Sequence, residues 1–156
     1  MKKLSFFSIA ILCSFVFLTI VTSCSKNNST TPNTTYKLSG TATGDQEVQP
    51  VTTTGTGTLS GTFNSATNAL HYDVSWSNLS GPATIAHFHG PAAPGTNAGV
   101  VIPFKINNTG TSGTASGDTT VTDAQKTDLL AGKWYFNVHT AAHGGGEIRG
   151  QVILTQ

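Results

Sequence analysis

The chain has 156 residues, with 8 Lys and Arg against 7 Asp and Glu and a formal net charge of +1. Only 10% of residues are charged and no basic stripe is present, which excludes the electrostatic footprint of a nucleic-acid binder. A chain of this length can bury one sizeable core but not two.

The first elements are not part of the fold. "MKK" is followed by "LSFFSIAILCSFVFLTIVTS", a basic start and a long apolar run that read as a secretory signal. The run ends in "VTSC", small residues before Cys24, and then "SKNNSTTPNTT". This junction resembles the lipobox of bacterial lipoproteins, in which the cysteine is lipidated and everything before it is removed. Val21 stands where that family prefers Leu. The expected plan is a signal peptide over 1–23, a lipidated Cys24 leading a linker to residue 35, and a domain over 36–156. Cys13 would leave with the signal and Cys24 would carry lipid, so the domain would hold no disulfide. Loss of Lys2 and Lys3 takes the net charge from +1 to −1. Membrane attachment would then rest on the lipid, which anchors firmly only when several acyl chains act together. The linker is rich in Ser, Thr and Asn and has no apolar period, so it would be a flexible tether reaching on the order of tens of ångströms. The implied location is a bacterial cell envelope. Ser25 after the cysteine, rather than Asp, fits outer-membrane sorting if the host is Gram-negative.

From Tyr36 the apolar period is two. "YKLSGTATG" opens, and "GTGTLSGTFN" puts Leu59, Gly61 and Phe63 on one face. In "ALHYDVSWSNL", Leu70, Tyr72, Val74 and Trp76 point one way and His71, Asp73 and Ser75 the other. "TIAHFHGPA" reads as a strand ending in a Gly-Pro turn, with His87 and His89 on one face and Phe88 on the other. "GVVIPFKI" reads as a further strand. "TVTDAQKTDLLAGK" breaks the pattern: Thr122 and Gln125 have capping-box spacing, Leu129 and Leu130 supply an apolar patch, and Gly132 stops the turn. "KWYFNVHT" and "EIRGQVILT" form an expected hairpin through "AAHGGG". In the first of these strands Tyr135, Asn137 and His139 share one face and Trp134, Phe136 and Val138 the core face, which leaves His139 on the more open side unless a loop covers it. In the second, Glu147 and Arg149 lie on one face as structural residues. Arg149 is expected to be exposed or paired with a carboxylate across strands. The sum is an all-β fold, an immunoglobulin-like or Greek-key β-sandwich or barrel, with one short helix near 122–131.

Two readings of the histidines stand side by side. His87 and His89 could converge with His139 on one ion, copper or zinc, because a strand pair alone supplies two ligands and a site needs more. Alternatively, the imidazoles are hydrogen-bonded braces, held by Glu147, Asp73 or backbone carbonyls. His143 lies in the turn. No G-x-S-x-G elbow is present, and Asp45 with Glu47 forms the sole close carboxylate pair.

The segments "LSGTATGDQEVQP", "AHFHGPA" and "YFNVHTAAHGGGEIRGQ" occur in the order of the CHRD domain, named for chordin, and the likeness covers about residues 37 to 154. The chain departs in having Gln49 before Pro50 where the family often has two prolines. The resemblance implies an immunoglobulin-like β-barrel and an extracytoplasmic module rather than a defined reaction. Chordin antagonises bone morphogenetic proteins, but a fold does not carry that partner to a bacterial lipoprotein. A fainter resemblance to Cu/Zn superoxide dismutases rests on His-x-His, a later histidine and a Gly-rich turn. Those enzymes use more ligands and a disulfide-braced loop, so dismutase chemistry ranks last. The leading expectation is a non-enzymatic, lipid-anchored module that meets the membrane through its lipid and binds an unidentified protein or envelope partner, with no nucleic-acid partner and no firm cofactor. The alternative is a periplasmic copper- or zinc-binding protein. The anchor has a direct check. Cys24→Ala should move the protein from the membrane pellet to the soluble fraction, and a variant that still sediments with membranes would show the lipobox reading to be wrong.

Overall fold

The computed structural model describes residues 34–156. The expected signal segment, Cys24 and all but the end of the linker lie outside the described residues. Among the described residues no helix is long and apolar enough to cross a membrane.

Nine strands form one antiparallel sheet. They are β1 (Thr35–Thr43), β2 (Thr56–Asn64), β3 (Ala69–Ser77), β4 (Ala83–His89), β5 (Val100–Pro103), β6 (Gly113–Thr120), β7 (Tyr135–Thr140), β8 (Ile148–Gln151) and β9 (Ile153–Thr155). The spatial order is β5-β4-β7-β8-β1-β2-β3-β6, with β9 also on β1. The sheet curls strongly into a half-barrel. A bridge between Ile106 and Ala115 ties the chain after β5 to β6, so the two ends of the order meet. The all-β expectation with one short helix holds, and the curl lets a single sheet enclose its own core.

The period-two reading of the strands carries directly into packing. Leu38, Leu59, Phe63, Leu70, Tyr72, Val74 and Trp76 are all buried, while their neighbours on β1 to β3 face outward as rows of Thr and Ser. Outward hydroxyls pair across strands, Thr58 with Ser75 at 2.8 Å and Thr56 with Ser77 at 3.3 Å. Phe88 is fully buried and is the hub of an aromatic cluster. Phe104 meets it edge-on at 4.6 Å, Tyr72 at 5.3 Å and Trp134 at 5.7 Å. Phe136, also fully buried, lies where Gly150 leaves room: a Cβ there would sit 2.8 Å from the Phe136 ring and 2.3 Å from the Thr41 carbonyl oxygen. Glycine is therefore a steric requirement of this strand crossing.

Two local expectations are refined. The strand read over "GVVIPFKI" ends at Pro103, which has no N–H for the ladder. Phe104 then turns inward, its N–H bonded to the Ala86 carbonyl at 2.9 Å. The helix α1 (Asp123–Leu130) has the expected capping box: Thr122 Oγ1 accepts from the Gln125 N–H, and the Gln125 side chain accepts from the Thr122 N–H. Gly132, at φ +68°, follows it. Of the two leucines only Leu129 enters the core, since consecutive helical positions point in different directions; Leu130 is exposed.

Glu147 ties the end of the sheet together. It is fully buried, and its carboxylate accepts hydrogen bonds from Thr53 Oγ1 (2.7 Å), the Ser80 N–H (2.7 Å), Ser80 Oγ (2.6 Å) and Thr140 Oγ1 (2.7 Å). Burial by itself raises its pKa, but the bonds from Ser80, Thr53 and Thr140 together hold it below the ordinary carboxylate value. A carboxyl depressed in the folded state stabilises above the unfolded value, and that contribution is lost as pH falls through the folded one. Glu147→Gln should therefore lower unfolding stability in urea at neutral pH by about 1.5–3 kcal/mol, since hydrogen bonds to a charged acceptor are the strong ones. The gap between the two proteins should shrink in acid. A neutral-pH difference below about 0.5 kcal/mol, the range of ordinary surface changes, would contradict the bracing role.

Candidate metal centre

The outward faces of β4 and β7 meet at three histidines. In the β4–β7 register His87 lies opposite Asn137, His89 opposite Tyr135, and His139 opposite Ile85. Strand alternation then puts His87, His89, Tyr135, Asn137 and His139 on the side away from Phe88, Phe136 and Val138. The His87 ring stands edge-on to His89 at 5.3 Å and to His139 at 5.2 Å. One nitrogen of each ring lies within 4.8 Å of one nitrogen of each of the others. Among the described residues this is the one group of three or more histidine, cysteine or carboxylate side chains so arranged. The three residues singled out in the sequence are thus brought together, and His143 lies outside the group.

This side of the sheet is not open. His89 and His139 are buried and His87 is half-buried. The segment 90–99 and the turn 141–147 cover them, each offering a backbone carbonyl. His89 Nδ1 lies 3.0 Å from the Ala98 oxygen, and His139 Nδ1 lies 3.0 Å from the Gly144 oxygen. A carbonyl only accepts, so each Nδ1 carries its hydrogen and each Nε2 is left with a lone pair. His139 Nε2 is buried without a hydrogen-bond partner, and so is His87 Nδ1. His89 Nε2 faces the amide of Asn137, 3.1 Å from Oδ1. As placed, that oxygen faces Nε2; a half-turn of the amide would present an N–H to the lone pair and take the same N–H away from Glu47.

The electrostatics favour neutral rings. Burial lowers the pKa of His87, and the like charges that His139 and His89 would carry lower it further, against the opposing effect of the Asn137 side chain, which favours the protonated ring. Burial likewise lowers His139, partly offset by the Gly144 carbonyl, with His89 adding to the lowering. Asn137 sits among these groups: its Oδ1 lies 3.1 Å from His89 Nε2, and its amide also influences the titration of His87 and Glu47. Glu47 is buried, one of its oxygens lacks a partner, and burial raises its pKa despite Arg149 nearby. Neutral imidazoles are ligands for copper and zinc. Two nitrogens on one tetrahedral ion lie about 3.4 Å apart at bonds of about 2.1 Å. The donor atoms here lie within 4.8 Å of one another, so the rings would have to draw together by up to about 1.4 Å to share one ion.

Several sequence expectations are resolved or corrected here. His139 is buried, the alternative in which a loop covers its face: the turn 141–147 supplies the Gly144 carbonyl to its ring. Arg149 is neither exposed nor paired with a carboxylate. It is buried, it makes no ion pair among the described residues, and its guanidinium bonds the Thr96 carbonyl (2.7 Å) and Asn97 Oδ1 (3.2 Å) while lying 3.5 Å from the Tyr135 ring centre. Glu147 braces hydroxyls and no histidine. The aspartates that do hold an imidazole are Asp73 and Asp118, on the half-buried His71 at 3.1 and 2.9 Å. Asp45 and Glu47 do not share a strand face, since the chain forms a 3₁₀ turn over Gly44–Gln46. Asn137 and Tyr135 were visible in the period of β7 as companions of His139, whereas Glu47 and the two carbonyls carried no signal. The CHRD domain family matches residues 38–152. No curated protein and no solved structure matches the chain significantly.

Acid should expose the burial of the rings. Below the ordinary histidine value of 6.5 the unfolded chain binds protons that folded His87 and His139 resist, so the metal-free fold loses stability as pH falls. The loss between about pH 7 and pH 5.5 should be smaller in His87→Gln/His139→Gln than in the wild type, read by urea unfolding in the presence of a chelator. Parallel pH curves would mean that these rings are not protected from protonation.

Proposed function

The chain belongs to the CHRD domain family, and we propose that it is a non-enzymatic extracytoplasmic module, held in the bacterial envelope by a lipid on Cys24, whose domain binds one copper or zinc ion through His87, His89 and His139. The observation that carries the metal reading is the pair of buried nitrogens, His87 Nδ1 and His139 Nε2, that have no partner within a cluster of three converging rings. An unsatisfied buried polar atom costs about 1–3 kcal/mol, and coordination to an ion would remove that cost. The carbonyl contacts point the same way. Ligating histidines commonly donate their other N–H to a carbonyl or carboxylate, which fixes the ring and makes the free nitrogen the better donor. Here Ala98 and Gly144 hold two rings in that manner. His87 Nδ1, His89 Nε2 and His139 Nε2 would be the ligating atoms, and Asn137 would release His89.

A second reading, in which the rings are a structural brace, is favoured by one contact: His89 Nε2 is already engaged by Asn137. Metal titration separates the two. The full-length chain, stripped with chelator, should take up one Cu(II) or Zn(II) per chain and melt at a higher temperature with the ion, because a ligand stabilises the state it binds. His87→Ala/His89→Ala and His139→Ala should abolish the rise. Absence of stoichiometric uptake would leave the brace as the role of the cluster.

A further inference from the structure

The segment 90–99 supplies the carbonyl that orients His89, yet it buries only one side chain, Ala92. Apolar packing therefore does little to hold it in place. Its ends are closed by the Gly90 N–H on the Gly99 carbonyl at 3.2 Å, and its start is fixed by the Ala92 N–H on the Lys133 carbonyl at 2.8 Å and by Gln151 Nε2 on the Ala92 carbonyl at 3.3 Å. The far half, which contains Ala98, is held from β7 and β8. Arg149 donates to the Thr96 carbonyl and to Asn97 Oδ1, and the Tyr135 hydroxyl meets the Ala98 N–H at 3.3 Å.

The same arginine supports the ring that supports the ligand. Strand β7 lies between β4 and β8, so the Tyr135 ring has His89 on one side and Arg149 on the other. The His89 and Tyr135 rings are stacked at 4.7 Å with 2° between their planes, and the guanidinium carbon lies 3.5 Å from the Tyr135 centre. Arg149 thus reaches His89 by two routes, through the carbonyl of Ala98 and through the face of Tyr135. A buried, unpaired guanidinium is an expensive group, and an apolar side chain of similar length would serve the sheet as well. What such a side chain could not do is bond two acceptors of the 90–99 segment at once.

We infer that Arg149 is a positioning residue for the metal-binding histidine His89: it latches the 90–99 segment over the site and backs the Tyr135 ring, so that His89 Nε2 stays aimed at the ion. This inference rests on the metal reading above. It adds that retention of the ion depends on a residue that does not touch it.

Cu(II) alone serves as the probe, on the full-length chain. Arg149→Met should still bind one Cu(II) per chain. Its release of the ion to excess chelator should be about 10–100-fold faster than in the wild type, the usual scale for losing an outer partner of a ligating histidine. The nitrogen hyperfine pattern of the bound Cu(II) should change, because one imidazole has lost its fixed orientation. Arg149→Lys, which keeps the charge but not the fork, should fall between. Asn97→Ala removes one latch acceptor on an exposed loop and should shift release in the same direction by less, which keeps the test valid if Arg149→Met does not fold. Wild-type release rates and an unchanged spectrum in Arg149→Met, or in Asn97→Ala where the former cannot be made, would overturn the latch while leaving the metal reading intact. Failure of the wild-type chain to bind Cu(II) would overturn both.

Discussion

The pairing of β4 with β7 is the constraint on which the rest of the molecule depends. One register, with Phe88 opposite Phe136 and His89 opposite Tyr135, sets two different surfaces back to back. On the inner side it assembles the aromatic centre of the core, where Phe88, Phe104, Tyr72 and Trp134 meet. On the outer side it assembles three imidazoles and an amide. A shift of one residue would exchange the two sets, putting histidines in the core and phenylalanines under the loops. The apolar side is thus what enforces the placement of the polar one.

A polar face that is covered must find partners, and the covering segments provide them. Segment 90–99 brings the Ala98 carbonyl to His89, and the turn 141–147 brings the Gly144 carbonyl to His139. Each cover is itself tied down by a buried ionisable side chain from the last hairpin. Glu147 anchors the turn by collecting donors from the loops around Thr53 and Ser80 and from the end of β7. Arg149 anchors the 90–99 segment. Two residues apart on one chain, the pair holds opposite sides of the histidine cluster. Neither gains its place from surface charge pairing, which contributes little to stability. The covers leave two ring nitrogens, His87 Nδ1 and His139 Nε2, buried without a partner.

The described domain contains no cysteine, so its integrity does not depend on the redox state of its surroundings. Its core is closed by the curl of a single sheet, and its outer hydroxyl rows pair with one another across strands. CHRD membership accounts for this scaffold over residues 38–152; the histidine cluster is where a specific role can reside.

Much of this was legible in the residues themselves. Alternation assigned the inner and outer faces of β2, β3, β4 and β7, capping chemistry placed the helix after Thr122, and the same alternation put His87 with His89 and Asn137 with His139. These follow from period and propensity, which are local properties of the backbone. The strand over 99–106 was read too long because the missing N–H of Pro103 was given too little weight. Alternation leaves Arg149 either exposed or paired with a carboxylate across strands, because it tells which side of a strand a residue occupies and nothing about what lies over that side. The cover over Arg149 comes from a segment about 50 residues away in the chain, and the covers reach His89 and His139 through backbone carbonyls, which every residue type carries alike. So the sequence by itself determined the strands, their faces and the candidate ligands. Only the tertiary structure decided that the three rings converge, that two of them are buried and the third half-buried, and that an arginine and a glutamate hold the lids over them.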